Sequence, residues 1–598
     1  MSDPTPDQEN QQHHKRFIES DAGDGTLREE QYLHGFHLIA CFIAIFLCMF
    51  LAALDQTIIA TILTTVGNKF DSFDKIGWLS SGFLLTSAVF IQPFGKLSII
   101  FGRKYTMCVS IIIFEGGSLM CALSNSMNVL IGGRVLAGVG AAGIQSLSFV
   151  IISEIVPIEK RPIGMAIISC VFAVASVLGP LIGGAFTTHV TWRWAFFINL
   201  PIGGLALAFL LWAFNPPRPK VNVRQELKKF DYIGNLLLIA GCVVFLLALT
   251  FGGNNYTWNS AAVILCFVLG GLSLLVFGFW NIYLSKDQIF PTEIIKTPQI
   301  IASVITISST FGFFITNIIF VAIYFQVIRG VSAMSSGLHI LPMIIPVVLS
   351  SIFSAVMIQK FHYVKPFAII AGFLAPIGTG LLTLLEVDSN FSHQVGLLIL
   401  NGVAVGLQMQ PAIISGQISA PKSPGSTIMV TTILNFGRCI TAALGCDLGD
   451  AVYTTSLRNI FSKAIQNERN PEILQQLHGL DMSSLISNNE VLQQLSPEAQ
   501  FFVKTQIMKA LRNVFYTSIG FACITSISCI FITNKKLPKI SGRRVASEEK
   551  EDQSKHVAES STDGENKDAD EYEDRNSDQI EPISSESPPP NNADPKFS

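Results

Sequence analysis

The chain has 598 residues, of which 49% are hydrophobic and only 14% are charged, and its mean hydropathy is +0.47. Soluble domains carry nearer a quarter charged residues, so this composition excludes a soluble multidomain protein and predicts one that crosses the membrane many times. The net charge of -3 gives no support to nucleic-acid binding, because acidic residues concentrate in the C-terminal tail.

Fourteen apolar runs are long enough to cross a bilayer, which takes about 20 helical residues. The thirteenth run is interrupted by Arg438, Asp447 and Asp450. In chain order, the predicted spans lie near residues 37–63, 76–97, 105–123, 129–153, 162–186, 194–214, 231–251, 261–284, 300–325, 338–358, 366–385, 395–418, 427–447 and 513–533.

Basic residues concentrate in alternate short loops, for example at Arg103 and Lys104. Basic loops stay in the cytosol, so this pattern orients the chain, and an even number of spans predicts that both termini are cytosolic. Asn255 and Asn390 begin N-glycosylation sequons in two loops of the opposite face, which makes them glycosylation candidates. A polar stretch at 454–510 is predicted as a loop on that face, either simply solvated or acting as a lid or partner-docking surface.

The eleven cysteines are scattered singly through apolar runs, without a CxxC or Cys/His cluster. This spacing predicts packing residues, with no metal site, no disulfide framework and no cofactor.

Arg134 stands inside the fourth run, and Gly138, Ala141 and Gln145 follow it at helical spacing on one face. An arginine at the centre of a membrane helix costs about 3 kcal/mol on insertion scales, so it is expected to face protein or a water-filled path. The small residues fit either a cavity lining or a helix interface. The pattern Gly138-x-Gly140-x-x-Gly143 matches a dinucleotide-binding fingerprint, but that motif requires a preceding strand, so we predict helix packing instead.

Asp55, in the first run, is the second intramembrane charge of interest. An acid there ionises more readily beside a cation, and Arg134 is the candidate partner. The pair is either a proton-coupling switch or a permanent ion pair. Glu115, beside Gly116 in the third run, is either a buried interface acid or a proton relay, and Arg438 is similarly ambiguous.

Further intramembrane polar residues are predicted to line a substrate cavity. They are Gln92, Gln145, Asn317, Gln408 and Asn435.

The fifth run contains Gly179, Pro180, Gly183 and Gly184. Proline removes a backbone hydrogen bond and the glycines leave a bare groove, which predicts a bendable contact with a helix of the other half.

Together these residues resemble the major facilitator superfamily, and within it the fungal fourteen-helix drug:proton antiporters, which are related to azole and multidrug resistance proteins and to vacuolar basic amino acid transporters. The resemblance covers roughly residues 37–535. The family's loop motif usually has an acid and a base where this chain has Ile99 and Ile100, and its antiporter motif has a glycine at Ala175. The motifs that carry the resemblance are Leu54-Asp55-Gln56-Thr57 in helix one, Gly95, Gly102, Arg103 and Lys104 in the loop motif, Arg134 with Gly138 and Gly140 in helix four, and Gly179, Pro180, Gly183 and Gly184 in helix five.

The resemblance implies an all-α polytopic membrane protein with the major facilitator fold. The implied organisation is a six-helix bundle at 37–214, a linker with two inserted helices at 215–298 and a second six-helix bundle at 299–535. Outside these limits, the polar composition predicts a disordered cytosolic tail at 1–36 and an acidic disordered cytosolic tail at 536–598.

The implied function is that of a non-enzymatic, proton-coupled antiporter that exports drugs or toxic small organic molecules by alternating access. The proton gradient drives it, Asp55 carries the proton, and Arg134 tunes that site. The chain is expected to work as a monomer in the plasma membrane. A vacuolar transporter of basic amino acids, in the vacuolar membrane, and a nutrient-sensing transceptor are the alternatives.

Overall fold

The computed structural model describes residues 23–26, 29–72, 75–252, 256–467, 476 and 495–537. Within them every regular element is a helix, apart from an isolated bridge between Gly252 and Tyr256. Long apolar runs adopt helices because a helix satisfies its own backbone hydrogen bonds where lipid offers none. The helices are α1 (Gly35–Phe70), α2 (Gly77–Val89), α3 (Ile91–Phe101), α4 (Arg103–Ala122), α5 (Met127–Ile155), α6 (Arg161–His189), α7 (Trp194–Phe197), α8 (Asn199–Ala213), α9 (Val223–Lys229), α10 (Tyr232–Phe251), α11 (Ala261–Phe279), α12 (Thr292–Ile295), α13 (Pro298–Ile323), α14 (Ala333–His339), α15 (Leu341–Phe361), α16 (Lys365–Leu381), α17 (Phe391–Ile418), α18 (Ser426–Asn467) and α19 (Pro497–Ser528).

The predicted membrane spans all coincide with helices. Thirteen described helices are long and apolar enough to cross a membrane, and a fourteenth span results if the pair α2 and α3 is counted as one. That pair bends by 45° at Phe90, whereas the sequence predicted a single uninterrupted span at 76–97. The fold class, an all-α polytopic membrane protein, is confirmed.

The predicted outer loop at 454–510 is too long at both ends. Helix α18 continues to Asn467 and α19 already begins at Pro497. Polar residues mark where a chain leaves the bilayer, but a helix that has already formed propagates easily into water. Residues 468–475 and 477–494 of this stretch lie outside the described residues.

The inserted helices α10 and α11 pair closely with each other. A Cβ at Gly270 would lie 2.7 Å from the backbone nitrogen of Phe245, so the glycine allows the two helices to touch. The outer side of α11 is exposed and apolar, as at Leu265 and Leu275, which suits lipid. The inner side of the pair packs beside α2 and α18, through Leu238 and Phe436.

The first half (α1–α8) and the second half (α13–α19) touch at two levels. At the end with the basic loops, here called the basic end, Ile158 packs into a cluster with Ile414 and Ile418. Nearer the opposite end, Pro180 of α6 meets Gly337 of α14, where an added Cβ would lie 3.4 Å from the proline. The space between the halves is therefore bounded by contacts on both sides.

Part of the N-terminal segment predicted as a disordered tail is ordered. Asp24 and Thr26 are buried, and the backbone N–H of Leu33 donates to the carbonyl of Ile155 at 3.2 Å. Polar composition favoured disorder, but this segment satisfies its polar groups against the basic end of the folded bundle.

Candidate functional site

Asp55 and Arg134 form a fully buried ion pair between α1 and α5. The Nε of Arg134 also donates to the carbonyl oxygen of Leu79 at 2.8 Å, and the guanidinium lies 4.4 Å from the ring centroid of Phe83. One arginine therefore holds α1, α2 and α5 together. The structure brings together the two charges that the sequence could only suggest as partners.

Asn199 completes this site, and the sequence prediction missed its role. Its side-chain amide donates to the free oxygen of Asp55 at 3.0 Å and to Ser118 Oγ at 3.1 Å. Both oxygens of Asp55 are thus engaged by groups from other helices. The signal was present in the sequence, since Asn199 is a polar residue in an apolar run, but nothing indicated that its side chain reaches helix α1.

Glu115 lies one helical turn before Ser118 on α4, and the surroundings of its carboxyl group differ from those of Asp55. Both of its carboxyl oxygens are buried without a hydrogen-bonding partner, and its side chain fills the space above Gly203 of α8. The third intramembrane charge of the prediction therefore adjoins the Asp55 site without joining its hydrogen bonds.

Helix α6 carries the glycine–proline cluster, and its glycines face a different partner from the one predicted. A Cβ at Gly179 would lie 2.8 Å from Thr57 Cβ, and one at Gly183 would lie 2.7 Å from Ile58 Cγ1. The expected contact of Gly179 and Gly183 with the other half is therefore wrong, because their bare groove receives α1 of the same half. Thr57 Oγ1 also donates to the carbonyl of Ala175 at 3.0 Å.

The other side of this helix does face the second half. Pro180 meets Gly337, and Gly184 lies near Met334, with 4.0 Å between its added Cβ and the methionine Cβ. Helix α6 is consequently placed between the helix that carries Asp55 and the second half. Sequence spacing identified the small residues but could not say which of them face which neighbour.

A cavity of about 20 Å³ lies between the two halves. The volume is close to that needed for one water molecule, so the two halves lie close together here. Its walls are mainly apolar and aromatic, and among the described residues that line it only Arg438 is charged. The lining residues are Met49, Phe149, Ile168, Ser169, Phe172 and Ser176 from the first half, and Phe311, Phe314, Ile344, Val347, Met409 and Arg438 from the second.

The five polar residues predicted to line the cavity do not form its wall. Gln92 donates to the carbonyl of Ile289 at 3.4 Å, while the buried amides of Asn317, Gln408 and Asn435 have no hydrogen-bonding partner in the described part of the chain. Gln145 comes nearest, since it accepts a hydrogen bond from the cavity arginine. Polarity within a span can be read from sequence, but the face to which each amide turns cannot.

Arg438 reaches across the boundary between the halves. Its guanidinium lies 4.7 Å from the ring centroid of Phe149 and 4.8 Å from that of Phe311. Its Nη2 donates to Gln145 Oε1 at a long 3.4 Å, and its Nε is buried without a partner. The sequence marked Arg438 as an intramembrane charge, but its position in the cavity wall emerges only from the fold.

The loop-motif residues gather at the basic end. Arg103 is buried and forms a two-pronged contact with Glu154, through Nε at 2.9 Å and Nη2 at 2.7 Å, and it also pairs with Asp24. Lys104 donates to the carbonyl of Leu211 at 2.8 Å. The motif thus ties α4 to the end of α5 and to the N-terminal segment.

The two glycines of the same motif allow close approaches. Gly95 lies against the second half, where an added Cβ would be 3.0 Å from Thr432 Cβ. Gly102 has a φ of 87°, which favours glycine, and an added Cβ there would lie 3.1 Å from Pro219.

The packing prediction for the glycines that follow Arg134 is confirmed. A Cβ at Gly138 would lie 2.6 Å from the carbonyl oxygen of Phe83, and one at Gly140 would lie 2.6 Å from the Cα of Phe114. These positions bring α5 against α2 and α4, with no room for a nucleotide phosphate.

The remaining predicted sites are two sequons and the expected lack of a metal centre. Asn390 is exposed at the start of α17, whereas Asn255 lies outside the described residues. Within the described part of the chain, no group of three His, Cys, Asp or Glu side chains is placed to hold a metal ion.

Comparison with known proteins agrees with the helical membrane architecture. The family model described as Major Facilitator Superfamily matches residues 45–445. Vacuolar basic amino acid transporter 5 of Saccharomyces cerevisiae is 35% identical over 543 residues, covering 84% of this chain and 92% of that protein. Azole resistance protein 1 of the same yeast is 35% identical over 569 residues, covering 86% and 91%.

A rubrofusarin-specific efflux pump of Gibberella zeae is 32% identical over 513 residues, covering 85% of this chain and 92% of the pump. Among solved structures, a bacterial homologue of the human lysosomal transporter Spinster superposes with a TM-score of 0.52 at 15% identity, covering 85% of this chain and all of that one, which supports the fold alone. The helical architecture, the family match and the extent of the similarity lead to one conclusion, that the chain belongs to the major facilitator superfamily.

Proposed function

We propose that this membrane transporter is a proton-coupled antiporter that moves drugs or other toxic small organic molecules out of the cytosol. The observation that carries the proposal is the buried Asp55–Arg134 pair, with Asn199 on the second carboxylate oxygen. An intramembrane ion pair is expensive to maintain, and its usual use is a proton or substrate pathway. Similarity to proteins named as efflux pumps and as an azole resistance protein supports export.

In the proposed cycle, Asp55 carries the proton. A proton on Asp55 neutralises the carboxylate and removes its attraction for Arg134, which keeps its contacts with the Leu79 carbonyl and the Phe83 ring. Loss of the proton restores the pair and draws α1 against α2 and α5. The electrical part of the proton gradient supplies about 2.3 kcal/mol per charge per 100 mV, with no cofactor in the proposed cycle.

Helix α6 is the proposed mechanical connection between the proton site and the second half. Thr57, two residues after Asp55, packs on Gly179 of α6. The next residue of α6, Pro180, contacts Gly337 of the second half. A shift of α1 on protonation therefore acts on a helix that already touches the other half. Rocking of the halves would then expose the cavity to one side of the membrane at a time.

A second candidate is transport of basic amino acids into the vacuole. The observation that favours it is the 35% identity to a yeast protein named for that activity. The two candidates differ in substrate and in membrane, with the plasma membrane proposed for the exporter and the vacuolar membrane for the importer. Both use a proton gradient, and both are proposed for a monomer with cytosolic termini.

Purified protein in proteoliposomes with an acidic lumen tests the proposal. Protons leaving the lumen should drive uptake of radiolabelled fluconazole or 2-naphthoate, and a protonophore should abolish it. Asp55→Asn should remove the proton-driven component, whereas Asp388→Asn, a change at an exposed acid, should not.

Two outcomes would count against it. Proton-driven uptake of lysine or arginine, without uptake of the other solutes, would establish the second candidate. Unchanged proton-driven flux in Asp55→Asn would show that the coupling group lies elsewhere.

A further inference from the structure

We propose that Arg438 is the recognition group of the central cavity, and that the preferred substrates are organic anions with a flat apolar body. This inference rests on the proposed transport function and names the substrate class. It starts from the charge of the cavity wall, where Arg438 is the charged residue among the described lining.

Arg438 has the features of an anion-binding group. No described carboxylate lies within ion-pairing distance of it, in contrast to Arg134 and Arg103. A guanidinium has five N–H donors, and here Nη2 makes only long contacts with Gln145 Oε1 and Cys439 Sγ, while Nε has no partner among the described residues. An unpaired cation in the membrane is costly, so its retention indicates that a ligand pairs with it.

The surroundings of the guanidinium determine what that ligand resembles. Phe149 of the first half and Phe311 of the second flank it, and further phenylalanines, Phe172 and Phe314, line the cavity. A carboxylate or sulfonate accepts two parallel hydrogen bonds from arginine, while aromatic walls accept a planar apolar body. A cationic substrate would be repelled, which disfavours basic amino acids.

The position of Arg438 also ties recognition to movement. Its two ring contacts come from opposite halves, so separation of the halves must break at least one of them. An anion that pairs with the guanidinium compensates for the lost contact when the cavity opens. A neutral solute of the same shape offers no such compensation.

The test uses three probes that share one ring system and differ in charge: 2-naphthoate, 2-naphthamide and 2-naphthylmethylammonium. Calorimetry with the purified protein measures their binding. Charge-assisted hydrogen bonds of about 1.5–3 kcal/mol correspond to about 10- to 100-fold in affinity. The wild type should prefer the naphthoate by that factor, and Arg438→Gln should remove the preference while it leaves binding of the amide within about twofold.

Two further variants keep the result interpretable. Arg438→Lys retains the charge and should keep part of the preference, and Arg329→Gln, at an exposed arginine, should behave as wild type. The proposal is overturned if the three probes bind alike, if none of them binds to monodisperse wild-type protein, or if Arg438→Gln weakens all three equally. Selective naphthoate binding without proton-driven flux would instead overturn the proposed antiport and leave this site intact.

We also infer, from a separate set of contacts, that the described N-terminal residues 23–26 and 29–34 act as a strap that holds the basic end closed. Asp24 pairs with Arg103, and its carbonyl accepts from the backbone N–H of Lys220 at 2.8 Å. Gly23, with a φ of 78°, lies so close to the second half that an added Cβ would be 2.8 Å from the Cα of Gly425. The strap therefore spans both halves at one end.

The strap is also consistent with the way in which this chain departs from the family's loop motif. The position where the family usually has an acid is Ile99, whose side chain packs with Val150 and Ile428, an apolar contact between the halves. A carboxylate from the N-terminal segment, Asp24, joins the motif arginine instead. Opening of the basic end requires Gly23 and Gly425 to separate, while the buried Asp24–Arg103 pair keeps the strap anchored to the first half.

Hydrogen–deuterium exchange of the full-length protein tests the strap. In Asp24→Ala, peptides at the basic end, such as 91–103 and 426–434, should exchange several-fold faster, while peptides 179–189 and 333–339 near the opposite end should not change. Asp24→Glu should restore slow exchange, and Asp388→Asn serves as the control. Equal acceleration at both ends would mean a general loss of stability, and no acceleration at either end would mean that the strap does not hold the halves; each result would refute the inference.

Discussion

Arg134 and Arg438 are both arginines within predicted membrane spans, but their surroundings differ. Arg134 is fully buried in the first half and pairs with Asp55, so its charge is compensated within the protein. Arg438 stands in the cavity wall between the halves, flanked by two phenylalanines and without a described acid in reach. The difference matches the two tasks that we propose, proton coupling at the first site and substrate recognition at the second.

The largest expected difference between the two arginines is in their contribution to the free energy of unfolding. Arg134→Gln leaves Asp55 as an unpaired buried charge and should lower the free energy of unfolding by about 3–5 kcal/mol. Arg438→Gln removes a charge that has no described acidic partner, so its ring contacts and its long hydrogen bond to Gln145 are lost, about 1–2 kcal/mol. Denaturant titration in detergent measures both, and equal losses would contradict the distinction.

Two buried asparagines extend the comparison from charges to amides. Asn199→Ala removes the hydrogen bonds to Asp55 and Ser118 and should cost about 1.5–3 kcal/mol, because one acceptor is charged. Asn435→Ala, one turn before Arg438, removes an amide without a hydrogen-bonding partner and should leave stability unchanged or improved. The same titration checks the pair, and a larger loss for Asn435 would reverse the expected order.

Glycines of helix α6 test whether the proton site acts through that helix. Gly179→Ala forces α6 away from Thr57 and should cost about 1–3 kcal/mol as overpacking, with slower proton-driven flux. Gly184→Ala introduces a methyl group with an ordinary contact distance of 4.0 Å to Met334 and should be tolerated. If the two variants transport equally well, the contact between α1 and α6 is not part of the coupling.

Glu115 should give the smallest effect of this series. Its oxygens have no hydrogen-bonding partners, so Glu115→Gln breaks no bond and should change stability by less than about 1 kcal/mol. Proton-driven flux should persist in this variant, in contrast to Asp55→Asn. Loss of coupling in Glu115→Gln would show that the first half uses two acids instead of one.

The sequence by itself determined the architecture, because about fourteen apolar runs and alternating basic loops leave few arrangements in a bilayer. It also identified Asp55 and Arg134, since charges inside apolar runs are conspicuous wherever they lie. The small residues of α5 and α6 were equally visible, although the partners of Gly179 and Gly183 were assigned to the wrong half.

Only the tertiary structure decided which side chains meet. Asn199 reaches Asp55 from α8, and Arg438 lies between Phe149 and Phe311, because helices distant in the chain cross at these points. Asp24 joins the basic end although its surroundings in the sequence resemble a disordered tail. Such contacts depend on the rotation and depth of each helix, and packing between helices sets both, whereas hydropathy records only which residues enter the membrane.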